Sequence, residues 1–175
     1  MVSLLEAFRG RRSPPEARLA DAGVEKWMKV LDVGAGYGFF AIPAAEIVGG
    51  EGFVCAVEPN PKRAREIERR AGDDVLKNLK VLVTGAEDLS GIPTGEVDVA
   101  ISMSSFHHFS DPARALAELG RVVRKGDLLY VRDMKAGRVF KHGSVPDDFR
   151  AEISRAFPGA RYEEGSGYLV AKVTV

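Results

Sequence analysis

The run Asp32-Val33-Gly34-Ala35-Gly36-Tyr37-Gly38 stands between a short β-branched segment, Val30 to Val33, and a segment of helical spacing, Phe39 to Val48. Glycines are required where the backbone turns sharply and where a ligand approaches main-chain N–H groups with no Cβ in the way. The helix that follows such a loop adds unpaired N–H groups and the positive end of its dipole, which suit an anionic group. The spacing matters, because a dinucleotide-binding loop also uses glycines, in the order G-x-G-x-x-G. Counted from Gly34, that pattern needs a small residue at position 39, where this chain has Phe39. Here the third glycine comes one residue early, at Gly38, and an acid precedes the first by two.

Outward from this loop, short apolar runs alternate with amphipathic segments, the pattern of parallel strands joined by crossover helices. Ser13-Pro14-Pro15 breaks any helix, and a helix is expected from about Glu16 to Trp27. Val30–Val33 is the first strand; Phe39–Val48 is a helix stopped by Gly49-Gly50; Phe53–Val57 is the second strand. Pro61 opens a charged helix to Arg70, Val81–Val83 is the third strand, and Val97–Ile101 the fourth. Asp111-Pro112 supplies a cap and a first-turn proline for a helix to about Val123, and Leu128–Val131 is the fifth strand. A last helix, Asp147–Phe157, precedes Tyr162–Glu164 and Tyr168–Val173, read as a hairpin about Gly165-Ser166-Gly167.

Glu58 lies about twenty residues beyond the loop, at the end of the second strand. A carboxylate there can accept hydrogen bonds from both hydroxyls of a ribose, and it repels a 2′-phosphate.

Composition narrows the class further. A chain of 175 residues is near the usual size of one domain, and 25 basic residues balance 25 acidic ones. No global field favours nucleic acid or an anionic membrane, so neither is expected as a partner. The single cysteine, Cys55, permits no internal disulfide and no thiolate cage, and no metal site is expected. Cys55 itself reads as a small core residue. Met1 to Arg12 is too rich in arginine for a secretory signal, and no run approaches the ~18 apolar residues that span a bilayer, so the expected location is the cytoplasm. Arg9, Arg11 and Arg12 read as a basic terminus. Glutamine is absent and asparagine occurs only at positions 60 and 78, a depletion of thermolabile amides that resembles a thermophile's composition.

Taken together, these motifs resemble the class I S-adenosylmethionine-dependent methyltransferases of the type 11 group, over nearly the whole chain from about Ser13 to Val175. Val30 to Phe40 is similar to that family's first motif and Ala56-Val57-Glu58-Pro59 to its second. Gly85-Ala86-Glu87-Asp88-Leu89 resembles the loop that lies against adenine, and Asp98 to Phe109 resembles the fourth strand with the loop beside the methyl donor. The resemblance implies a doubly wound α/β fold. Its mostly parallel seven-stranded sheet has order 3-2-1-4-5-7-6, strand seven antiparallel and helices on both faces. The domain would span residues 1–175, with 1–15 as an N-terminal extension. It implies S-adenosylmethionine as cofactor and S-adenosylhomocysteine as product. The implied cofactor set is Asp32, Gly34, Ala35, Gly36, Gly38, Glu58, Pro59, Ala86, Glu87, Asp88, Ser102 and Met103.

The acceptor implied is a small molecule, methylated by in-line displacement. The alternatives are an RNA or protein methyltransferase, and a cofactor-binding subunit that depends on a partner for activity; a homodimer is compatible with each. A sulfonium is already an activated donor, so alignment of nucleophile, methyl and leaving sulfur supplies most of the acceleration, and a base is needed only when the nucleophile arrives protonated. His107 and His108 are the candidates for that base or for orienting substrate, and Asp133, placed just past the fifth strand, is a third candidate for touching it. Each has a structural alternative: a histidine packing at the next helix or facing solvent, and an aspartate capping a turn. As neighbours in an extended segment, the two histidines would point to opposite faces and could not chelate one ion.

Overall fold

The computed structural model describes residues 14–72, 76–136 and 142–175. Ser13, Arg9, Arg11 and Arg12 lie outside the described residues. Inside the sheet lies β1 (Lys29–Val33), four of whose five residues are buried, as expected of a strand covered on both faces. It pairs in parallel with β2 (Phe53–Val57) on one side and β4 (Val97–Met103) on the other. β3 (Leu79–Leu82) closes the β2 edge. β5 (Val123–Met134) lies beside β4, and β7 (Tyr168–Thr174) runs antiparallel between β5 and β6 (Arg161–Glu164). The sheet order is therefore 3-2-1-4-5-7-6.

Two apolar layers fill the two faces. Helices α1 (Pro15–Asp21), α2 (Ala41–Val48) and α3 (Pro61–Ala71) contribute Leu19, Ala44, Val48 and Ile67 to one layer, with Val30, Val99, Ile101 and Tyr130 from the strands. Helices α4 (Pro112–Val122) and α5 (Pro146–Ala156) contribute Leu116, Leu119, Phe149 and Ile153 to the other, against Leu31, Ala100, Leu129 and Val131. Successive strand residues alternate between the layers, since side chains along a strand point to opposite faces. Cys55 sits in the second layer and is buried, which pushes its thiol up to about 11 and keeps it a packing residue.

The helix starts follow their local chemistry. Asn60 Oδ1 accepts from the N–H of Lys62 at 2.9 Å ahead of Pro61, and Asp111 Oδ1 accepts from that of Arg114 at 3.0 Å ahead of Pro112.

Three elements depart from the sequence expectation. The first helix ends at Asp21, not near Trp27, because Gly23 adopts φ +75° and reverses the chain; Trp27 itself stands at φ +68° and is exposed. The third strand begins at Leu79, paired with Val54, and stops before Val83, which is exposed beyond the end of β2. The fifth strand is much longer than Leu128–Val131. It leaves α4 directly at Val123, passes an irregularity where Gly126 takes φ +93°, and continues to Met134 because β7 pairs with it as far as Met134↔Tyr168. Asp133 is thus within β5, opposite Leu169, and not past its end.

Candidate functional site

Strand order reverses between β1 and β4, and in open α/β sheets ligands bind in the crevice outside the carboxyl ends of the strands at such a switch point. Two loops meet there: Gly34–Gly38 after β1 and Ser104–His108 after β4. The N–H groups of Gly34 and Ala35 donate to Val57 O at 2.8 and 3.0 Å, tying the first loop to the end of β2. Gly34, Gly36 and Gly38 all have positive φ, at +77°, +60° and +80°. At Gly34 a Cβ would also collide with Ser105 Cβ, so the two loops pack at closest approach. At Gly36 a Cβ would meet nothing within 4 Å. The loop is therefore closed at Gly34 and open at Gly36.

Two buried carboxylates lie beneath this opening. Glu58 is 3% exposed; its Oε2 accepts from Gly36 N–H at 2.9 Å and its Oε1 from Asn60 N–H at 2.9 Å. The acid thus shapes the glycine loop directly, with lone pairs left for a ligand. Asp32 is 1% exposed, and its Oδ2 has no hydrogen-bond partner among the described residues. Burial, with a smaller contribution from the charge of Glu58, pushes its carboxyl up to about 7, against the opposing backbone hydrogen bond from Ala41. A buried, unpartnered carboxylate oxygen is costly and calls for a donor or cation.

The second loop is strained where it leaves β4. Ser104 adopts φ +61° while its N–H donates to Arg132 O at 2.6 Å. A non-glycine residue there costs of order 1–3 kcal/mol and persists only when its surroundings hold it. Ser105 does so: its Oγ donates to Val33 O at 2.7 Å and lies 2.8 Å from Ser102 Oγ. The chain then forms a 3₁₀ turn, Phe106–His108. This corrects the expectation of an extended segment with the histidines on opposite faces: the turn brings their rings together, centroids 3.9 Å apart. His107 Nδ1 lies 2.8 Å from Asp133 Oδ1, and its backbone N–H donates to Asp133 Oδ2 at 2.9 Å. Asp133 is fully buried and also accepts from Met134 N–H at 2.9 Å and Ser144 Oγ at 2.6 Å. His108 is exposed, and its imidazolium is disfavoured by partial burial and by the neighbouring His107.

The other expected residues divide. Met103 and Ser102 are buried at the end of β4, with Ser102 committed to Ser105. Pro59 is exposed beside Glu58, and Ala86 is buried. Glu87 Oε1 accepts from Ser110 N–H at 2.7 Å, Ser110 Oγ at 3.0 Å and Asp111 N–H at 3.2 Å, which pins the loop after β3 to the start of α4 and holds its carboxyl below the usual range, against the opposing effect of burial. Asp88 Oδ1 accepts from Ser90 N–H within its own turn. Phe39 and Phe40 pack edge to face against each other, centroids 5.0 Å apart.

Four contributors were not anticipated from sequence: Ser105, Ser144, Asn60 as a partner of Glu58, and Arg63, whose Nη1 lies 3.9 Å from Glu58 Oε1 and whose guanidinium stacks over Tyr37 at 5.6 Å. Only Asn60 had a local signal, the Asn-Pro helix start. The rest depend on contacts between distant segments. Among the described residues no group of three or more His, Cys, Asp or Glu side chains is placed to hold a metal ion, and no helix is long and apolar enough to cross a membrane.

Residues 31–131 match the family described as "Methyltransferase domain". The chain is 30% identical to aklanonic acid methyltransferase DauC of Streptomyces sp. (strain C5) over 118 residues, 67% of this chain and 51% of that protein. It is 30% identical to the ubiquinone biosynthesis O-methyltransferase of Thiobacillus denitrificans over 102 residues, 58% of this chain and 42% of that one. The chain therefore spans about half the length of these curated relatives. Among solved structures, a SAM-dependent methyltransferase from Aquifex aeolicus superimposes with a TM-score of 0.78 at 26% identity, covering 92% of this chain and 89% of that one.

Proposed function

This chain belongs to the methyltransferase domain family, and on that premise we propose that it transfers a methyl group from S-adenosylmethionine to a small-molecule acceptor. The observation that carries the reading is the pair of buried carboxylates, Asp32 and Glu58, at the open side of the glycine loop. Two acids there favour a ligand that brings positive charge, such as an amino-acid ammonium beside a sulfonium. They oppose the pyrophosphate of a dinucleotide.

The residues fit the group in detail. Asp32 Oδ2, lacking any partner, takes a cationic donor. Glu58 keeps unused lone pairs for ribose hydroxyls while it holds Gly36 and Asn60 by their N–H groups. Gly36 leaves main chain exposed where a side chain would fill the cradle. When bound, S-adenosylmethionine supplies an electrophilic methyl on a good leaving group. The chain's own contribution is positional. Ser105 locks the loop after β4 against the loop after β1, so an acceptor resting on residues 104–108 is held at a set distance from the cradle. The small-molecule class is supported by the names of the two curated relatives, one for aklanonic acid and one for ubiquinone biosynthesis.

Isothermal titration with S-adenosylmethionine, S-adenosylhomocysteine and NAD⁺ tests the reading. One-site binding of both adenosyl ligands without NAD⁺ is expected; binding of NAD⁺ alone overturns it.

A further inference from the structure

His108 has the chain's other two histidines, His107 and His142, within electrostatic reach, together with Arg63 and Asp133. They are not equivalent. His107 has its side chain only 8% exposed, and Asp133 grips it twice, through its backbone N–H and through Nδ1.

From this arrangement, and resting on the methyltransferase reading above, we infer that His107 is the general base for the reaction, that Asp133 is its positioning residue, and that the acceptor is therefore a hydroxyl compound of the phenol or enol type.

The grip has a chemical consequence. Asp133 is fully buried inside β5; its two oxygens accept three hydrogen bonds, from His107 N–H, Met134 N–H and Ser144 Oγ, and Oδ1 lies 2.8 Å from His107 Nδ1. A carboxylate so supplied is held as an acceptor, so the proton of a neutral His107 resides on Nδ1 and the lone pair on Nε2. Nε2 has no hydrogen-bond partner among the described residues. This division of roles, a buried acid fixing the tautomer and a free nitrogen taking a proton, is the one that base catalysis by histidine requires. His107 is two residues from Ser105, the residue in closest approach to Gly34, so the free nitrogen belongs to the same loop that faces the cradle.

The surrounding charges select the acceptor. A carboxylate acceptor is already ionised at neutral pH and needs no base. An aliphatic amine arrives as a cation, and Arg63, within electrostatic reach of His108 beside the base, opposes a second cation there. A hydroxyl arrives neutral, with a proton that must leave. The hydroxyl proton passes to His107 Nε2 as the oxygen forms its bond to the methyl carbon. The carbon–sulfur bond breaks with its electron pair left on sulfur. Positive charge moves from sulfur to the imidazole, where Asp133 stabilises it, and the imidazolium then returns its proton to water.

The test has two arms on the full chain. In ¹⁵N-histidine-labelled protein saturated with S-adenosylhomocysteine, His107 is expected as the Nδ1–H tautomer, and Asp133→Asn is expected to abolish that preference. An Nε2–H tautomer in the wild type overturns the inference without reliance on any variant. In the second arm, methyl transfer from S-adenosylmethionine is followed with catechol, 1,4-hydroquinone and benzylamine. Transfer to a phenol is expected, with His107→Ala lowering kcat about 10²–10⁴-fold and leaving S-adenosylhomocysteine affinity within twofold. Asp133→Asn should lower kcat with little change in the KM of the phenol, a split that a purely structural role would not produce. Transfer to benzylamine alone, transfer to none of the three, or a His107→Ala enzyme within threefold of wild type overturns it. Failure of S-adenosylhomocysteine to bind at all instead refutes the methyltransferase reading, and the tautomer arm, repeated on the free protein, still reports on the Asp133–His107 pair.

Discussion

Replacing Glu58 by alanine perturbs the ligand and the loop together, and the structure separates the two effects. Each hydrogen bond from a ribose hydroxyl to a charged acceptor is worth ~1.5–3 kcal/mol, so losing two costs ~3–6 kcal/mol. At about 1.4 kcal/mol per tenfold, that is a loss of about 10²–10⁴ in affinity for S-adenosylhomocysteine. The carboxylate also holds the N–H groups of Gly36 and Asn60, at 2.9 Å each. Gly36 is partly exposed and Asn60 exposed, so both N–H groups turn to water and the stability cost is the net worth of the lost hydrogen bonds, ~1–3 kcal/mol. For a chain of this size the melting temperature should then fall by about 2–12 °C. Glu58→Gln keeps one acceptor oxygen and turns an amide N–H₂ toward a donor, so it should bind more weakly than wild type and more tightly than the alanine variant. Isothermal titration gives the affinities, and thermal unfolding without ligand gives the loop term. A folded Glu58→Ala protein that binds within threefold of wild type refutes the assignment. A glutamine variant weaker than the alanine variant refutes the account of how the carboxylate acts.

Other expectations follow from the same site. Burial pushes the Asp32 carboxyl up to about 7 in the folded state, against the ordinary carboxylate value near 3.8 when unfolded, so between these values the folded state holds the extra proton and stability falls as pH rises, levelling above about 7. Asp32→Asn should remove that slope, which denaturant unfolding at several pH values between 4 and 8 will show; an unchanged slope would assign the titration elsewhere. Because a cationic ligand needs Asp32 ionised, affinity for S-adenosylmethionine should weaken below pH about 7 with proton release on binding, read by calorimetry in buffers of different ionisation enthalpy. Gly34→Ala should destabilise the fold by several kcal/mol, since it adds a collision with Ser105 to a strain of ~1–2 kcal/mol at positive φ. Gly36→Ala meets no neighbour, so it should remain folded and lose ligand affinity; the opposite ranking in paired unfolding and binding measurements would mean that the cradle opens elsewhere.

What the amino-acid order alone determined is what local chemistry controls. The alternation of apolar runs with amphipathic segments set the element sequence, Asn60-Pro61 and Asp111-Pro112 marked helix starts, and three glycines after Asp32 marked a turn that only positive φ satisfies. These signals act over three or four residues, and the chain carries them wherever it goes. With Glu58 at the end of the second strand, they marked the loop and the acid that meet through the Gly36 N–H. The tertiary structure decided which side chains meet. The length of β5 depended on β7 pairing along it, and that extension carried Asp133 into the strand and beneath the turn after β4. His107 and Asp133 are 26 residues apart, Ser105 and Val33 72, Glu58 and Gly36 22. No periodicity encodes such meetings, because they are set by the register of strands from separate parts of the chain and by the burial that makes each polar group seek a partner.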